Sequence, residues 1–350
     1  MKPFIARTPL IVLTGFLGSG KTTLLRELLL HPRMDGTAVL INELGAVGLD
    51  HHLLWPGNDA TLVLENGCIC CSVRDDFIST LQDLFWKRLH RQIPRFKRVL
   101  IETTGVAVPA PVVNLLLSDA LLAERYRLDT VITTVDAVLG QRHIDQHWET
   151  VRQIAAADTL VITKADLAAG HELTQLEHRL AALNPLAVRL RAVLGQVAPE
   201  LLFDNRPDSE RNRRISPAHR PFLSAAQAAT APVREGERTL GGFHDARIKN
   251  VTLHLSGPLE RARIVAALSA VLGQFGDQLL RVKGLVDVAG EARPVVVQAV
   301  GDRLFPLETL DAWPAGERAS NLVFITAGLR PQAVRDTLET HFPGSVSTAV

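Results

Sequence analysis

The sequence predicts an α/β fold with a mostly parallel sheet, followed by a smaller α+β domain. Three observations lead there. Short apolar runs alternate with helical segments through the N-terminal part of the chain, as expected of strands covered on both faces by crossover helices. One strand-to-helix junction reads Gly15-Phe16-Leu17-Gly18-Ser19-Gly20-Lys21-Thr22-Thr23 directly after Leu10-Ile11-Val12-Leu13-Thr14, which satisfies G-x-x-x-x-G-K-[ST] in the required order of strand, loop and helix. Towards the C-terminus the order becomes strand, helix, strand, strand, strand, helix, a β-α-β-β type arrangement suited to a small α+β domain. The fold class is therefore a P-loop NTPase with an appended domain.

Strands are expected at 10–14, 38–41, 61–64, 99–101, 130–135 and 160–163, and helices at 21–30, 76–89, 111–117, 145–156 and 173–183. The helices follow from apolar residues recurring at three- and four-residue steps. Residues 204–220 are rich in Arg, Asp, Ser, Asn and Pro, and 225–242 in Ala and Gly, a linker composition. Order returns with strands at 251–255, 279–288, 294–300 and 321–326 and helices at 259–275 and 331–341. The expected division is 1–205 for the nucleotide-binding domain, 206–245 for the linker and 246–350 for the C-terminal domain.

Composition narrows the function. The 350 residues carry 38 Lys plus Arg against 37 Asp plus Glu, a net charge of +1, which gives no reason to invoke nucleic acid or an anionic membrane. With no apolar run long enough to span a bilayer and no secretory leader in Met1-Lys2-Pro3-Phe4, a cytoplasmic protein is expected. Its thiols would stay reduced there, so clustered cysteines read as metal ligands or redox groups. All 3 cysteines stand together in Glu65-Asn66-Gly67-Cys68-Ile69-Cys70-Cys71. Two thiolates plus a borrowed ligand would give a tetrahedral site for Zn²⁺, and Glu43 or the pair His51-His52 are the nearby candidates. His143 and His147, four apart, read more simply as surface residues.

Functional residues should gather at the carboxyl ends of the strands. Gly15, Gly18 and Gly20 let successive amides converge on phosphate oxygens. Lys21 should reach the β- and γ-phosphates, and Thr22 should offer its hydroxyl to Mg²⁺. Val99-Leu100-Ile101-Glu102-Thr103-Thr104-Gly105 ends a strand on an acid followed by x-x-Gly: a carboxylate for the Mg²⁺ side and a glycine amide for the γ-phosphate. Leu160-Val161-Ile162-Thr163-Lys164-Ala165-Asp166 matches the N/T-K-x-D element that selects guanine. Asp166 would accept two hydrogen bonds from the Watson–Crick edge while the Lys164 stem packs along the base. The substrate is then GTP.

These stretches, with Asn42-Glu43-Leu44-Gly45-Ala46-Val47-Gly48 and Pro109-Ala110-Pro111, resemble in order the motifs of the CobW family, metal-handling P-loop GTPases related to the nickel-insertion GTPases of urease and hydrogenase. The resemblance spans most of residues 8–205 and continues in the last domain at Phe243-His244, Arg281-Val282-Lys283-Gly284 and Trp313. It implies that Cys68, Cys70 and Cys71 bind zinc, cobalt or a similar ion, with Glu43 in a switch between metal and nucleotide. It further implies GTP hydrolysis that gates metal transfer to a client metalloenzyme, and it raises a homodimer through the nucleotide site. Because no residue stands out as an activator of the attacking water, slow intrinsic turnover is expected. Two departures stand out. Ala46 replaces a second acid, and Thr163 stands where Asn is frequent, an expected loss of polar support around the base. Two readings of other classes compete: a metal sensor or buffer that binds nucleotide without productive hydrolysis, and an ATP-dependent enzyme with a structural zinc.

Overall fold

The computed structural model describes residues 7–41, 51–54, 62–64, 73–203, 247–310, 312–313 and 318–348. These fall into two compact units. The first takes in the described residues up to Gly140 with Ala157–Leu173 and Arg189–Phe203; the second takes in Gln141–Ala156, Thr174–Val188 and the described residues from Arg247 onward.

The first unit is built on β1 (Thr8–Gly15), whose apolar run is buried on both faces. It lies in parallel between β5 (Arg98–Glu102) and β6 (Tyr126–Asp136). Leu10 and Val12 join a buried cluster with Phe77, Leu81 and Leu84 of α2 (Val73–Leu89) and Val112 and Leu116 of α3 (Pro109–Ser118). Ile11 and Leu13 alternate to the opposite face. A strand in that position must be apolar throughout, which is why the run gives no period-two signal. Among the described residues the order is β4-β3-β2-β5-β1-β6-β7-β8, where β2 is Thr37–Ile41, β3 His51–Leu54, β4 Leu62–Leu64, β7 Thr159–Thr163 and β8 Val188–Arg191.

The parallel pairs β2·β5, β1·β5, β1·β6 and β6·β7 form the expected sheet, but β3 and β4 extend it with antiparallel pairing. β3 was not anticipated: the sequence reading placed no strand at 51–54 and offered His51 and His52 as candidate ligands. β6 is also longer at both ends than the 130–135 run suggests. The helix expected over 145–156 is two helices, α5 (Gly140–Gln146) and α6 (Trp148–Ala156).

In the second unit an antiparallel sheet runs β12-β11-β10-β14-β9-β15, with β13 (Glu308–Thr309) pairing β11. Its strands are β9 (Ile248–Leu255), β10 (Leu279–Val286), β11 (Val295–Val300), β12 (Arg303–Leu304), β14 (Ser320–Ala327) and β15 (Val346–Thr348). Helices α9 (Arg261–Phe275) and α10 (Pro331–His341), numbered after α4 (Ala120–Arg125), α7 (Gly170–Leu183) and α8 (Pro199–Phe203), supply Ile264, Leu268, Val271, Val334 and Leu338 to a core shared with Leu253, Val282 and Phe324. No helix among the described residues is long and apolar enough to cross a membrane. Glu43, Cys68, Cys70, Cys71, Ala46 and the stretch read as a linker lie outside the described residues.

Candidate nucleotide site

The strand register brings the sequence motifs to one edge. Leu13 pairs with Glu102, Gly15 with Thr134, and Asp136 with Thr163, so the carboxyl ends of β5, β1, β6 and β7 stand side by side. The loop 15–20 leaves β1 there and feeds α1 (Lys21–Leu29). Gly15 has φ 141, and a Cβ on it would lie 2.2 Å from Thr134 Oγ1, so this position admits only glycine. Ser19 Oγ and Thr134 Oγ1 share a hydrogen bond of 2.6 Å that fixes the loop to β6.

Lys21 is buried at 9% exposure, and its ammonium donates to Gly15 O at 2.8 Å and Phe16 O at 3.1 Å. Burial depresses this ammonium below the ordinary lysine value, and the Glu102 charge pulls it partly back. A cation held at the mouth of its own loop, with a weakened hold on its proton, is stabilised by an arriving polyphosphate. Thr22 Oγ1 donates to Glu102 Oε1 at 2.8 Å, and Glu102 is only 5% exposed. A hydroxyl and a buried carboxylate form a hard-oxygen donor set, which fits Mg²⁺ and not a soft ion. Gly105 comes against the loop from the other side: a Cβ there would lie 2.5 Å from Leu17 Cδ2 and 2.7 Å from Leu17 N. Thr103 Oγ1 donates to Thr14 Oγ1 at 2.9 Å, and Thr14 Oγ1 to Ala107 O at 3.3 Å, so hydroxyls tie 103–107 to β1.

The third element is clasped onto the loop. Thr163 Oγ1 donates to Ser19 O at 2.7 Å and contacts Val135 O at 3.3 Å. Lys164, with φ 54, donates to Gly18 O at 3.0 Å and to the Asp136 carboxylate. Asp166 follows at the surface. The hydroxyl of Thr163 therefore ties this element to the phosphate loop. Phe16, Leu17 and Thr23 complete the loop and the first turn of α1.

Sequence reasoning did not single out Asp136. It ends β6 with a side chain 1% exposed, and its Oδ1 accepts from Val138 N at 2.8 Å and Leu139 N at 2.9 Å. Burial pushes its carboxyl up, but the hydrogen bond from Lys164, the Leu139 and Val138 amides and the Lys164 charge outweigh burial, and it lies below the ordinary value. A signal was present: an acid closing an apolar strand is the same layout that marked Glu102.

The fold and this site define a P-loop GTPase. The CobW/HypB/UreG nucleotide-binding domain matches residues 9–190, and the cobalamin synthesis protein cobW C-terminal domain matches residues 248–341. The chain is 32% identical over 327 residues to the zinc chaperone YjiA of Escherichia coli (strain K12), covering 93% of this chain and 95% of that protein. It is 30% identical over 350 residues to the zinc chaperone CobW of Sinorhizobium sp, covering 91% and 92%. The crystal structure of Zn(II)-bound YjiA GTPase from E. coli superposes with a TM-score of 0.65 at 29% identity, covering 96% of this chain and 99% of that one. The chain belongs to the CobW family.

Proposed function

We propose that this protein is a GTP-hydrolysing metallochaperone, carrying zinc, or cobalt, as cargo at Cys68, Cys70 and Cys71 with Glu43, and delivering it to a client metalloenzyme. The observation that carries the nucleotide half is the clasp of Thr163 and Lys164 onto Ser19 and Gly18, which joins base selection to phosphate grip. The metal half is supported by the relatives named as zinc chaperones.

In this reading, residues 1–205 form the GTPase domain and 246–350 a client-facing domain, joined by 206–245, in a cytoplasmic protein without nucleic-acid or membrane partners. Asp166 accepts the two N–H donors of the guanine edge, and an adenine does not offer it that pair. The amides of Gly15–Thr23 and the Lys21 ammonium hold the β- and γ-phosphates. Thr22 and Glu102 would hold Mg²⁺, whose charge offsets the charge that grows on the phosphoryl oxygens. Gly105 packs on Leu17; in this reading its amide meets the γ-phosphate, and loss of that phosphate releases the 102–107 turn. Glu43 relaxes with it and loosens the thiolates' hold on the metal. A homodimer across the nucleotide site would complete the surroundings of the γ-phosphate.

Steady-state hydrolysis of GTP and ATP by the zinc-loaded full chain tests the nucleotide half. The expected result is slow GTP turnover, ATP at least about tenfold poorer in kcat/KM, and a further loss of about tenfold or more in Glu102→Gln. A preference for ATP would instead make this an ATP-dependent enzyme with a structural metal.

A further inference from the structure

We infer that Asp136 is a positioning residue for base selection, holding the Lys164 ammonium against the phosphate loop so that the turn bearing Asp166 is fixed relative to the bound nucleotide. This rests on the proposed role of Lys164 and Asp166 in reading guanine. Lys164 has φ 54, a left-handed conformation that is unfavourable for a non-glycine residue. Something must hold it there. Its backbone neighbour is held on one side, where Thr163 Oγ1 reaches Ser19 O at 2.7 Å and Ala137 N reaches Thr163 O at 2.9 Å. Its side chain is held at the far end by two acceptors, Gly18 O at 3.0 Å and the Asp136 carboxylate. The stem between those fixed ends becomes a rigid wall for the face of the base.

Asp136 is built for that task. The side chain of Lys164 is 39% exposed and that of Asp136 only 1%, so the carboxylate is a fixed post and the ammonium is the part that would otherwise wander. Its two oxygens divide the work: Oδ1 takes the Val138 and Leu139 amides and Oδ2 takes Lys164. Asp136→Asn keeps the shape and the Oδ1 acceptor. It removes the charge and turns an N–H₂ toward an ammonium, so it tests the hold on Lys164 apart from the turn at 137–139.

The experiment is equilibrium binding of GDP and of xanthosine diphosphate to the full chain and to Asp136→Asn, Lys164→Gln, the double variant and Asp166→Asn. Asp136→Asn is expected to weaken GDP about tenfold or more, with the double variant no weaker than its worse parent, because both substitutions break one device. Unchanged GDP affinity in Asp136→Asn, or losses that simply add, overturn the inference. If Asp136→Asn does not fold, the cycle uses Asp136→Glu, which keeps the charge. Affinity retained in that variant and lost on adding Lys164→Gln supports the inference, and affinity indifferent to Lys164→Gln overturns it. Asp166→Asn tests the underlying reading separately. Its amide can donate to the second carbonyl of xanthine, so it should exchange GDP for the xanthine nucleotide. If it keeps GDP, the guanine assignment fails, whatever Asp136 does.

Discussion

Thr163 is the residue at which a small substitution should speak most clearly. Its hydroxyl is buried and bonded to Ser19 O at 2.7 Å. Thr163→Val preserves the shape and leaves that carbonyl without its donor, so a loss of about 1 to 2 kcal/mol in urea unfolding is expected, with weaker GDP binding alongside. Wild-type stability in the variant would mean that the tie is energetically idle. Asp136 gives a pH signature. Its folded carboxyl lies below the ordinary value, so its contribution is complete above the unfolded carboxylate range and is lost as pH falls through the lowered folded value. The stability gap between the native chain and Asp136→Asn should therefore shrink as pH falls into the ordinary carboxylate range and on through the lowered folded value, and a gap independent of pH would contradict the assignment. Lys21, Thr22 and Glu102 were legible in the sequence because their residue types are dictated by chemistry at a fixed spacing. Asp136 was not, because its partner lies 28 positions away and only the β6·β7 register brings them together.

At the scale of elements, what the sequence showed and what it hid have distinct causes. β1, β5 and β7 are apolar because both faces are buried, and such runs stand out in any reading. β3 and β4 pair antiparallel at the sheet edge; β4 is an apolar Leu-Val-Leu inside the expected 61–64 and was legible, whereas β3 opens on His51-His52 and no apolar run marked it. The break between α5 and α6 escaped notice because His147 N still bonds His143 O at 2.9 Å, so the apolar period passes through the junction. The C-terminal unit stands on its own core, and Phe324 of β14 is its fully buried centre at 0% exposure. Phe324→Ala should cost about 3 to 5 kcal/mol. Thermal unfolding would show it as a large fall in the transition assigned to residues 247–348, and a shift of only a degree or two would mean that this cluster is not what holds the sheet and helices together.

For the whole molecule, the two family domains are matched over residues 9–190 and 248–341. In the proposed function, nucleotide state governs the hold on the metal. The most direct measurement is Zn²⁺ and Co²⁺ affinity by chelator competition, with GDP and with a non-hydrolysable GTP analogue, on the native chain and on a Cys70→Ala/Cys71→Ala variant. The account predicts a difference of about tenfold or more between nucleotides, a coupling of about 1.4 kcal/mol, that disappears in the variant. Equal affinities in both nucleotide states would contradict it and leave a metal sensor or buffer that binds GTP for another purpose.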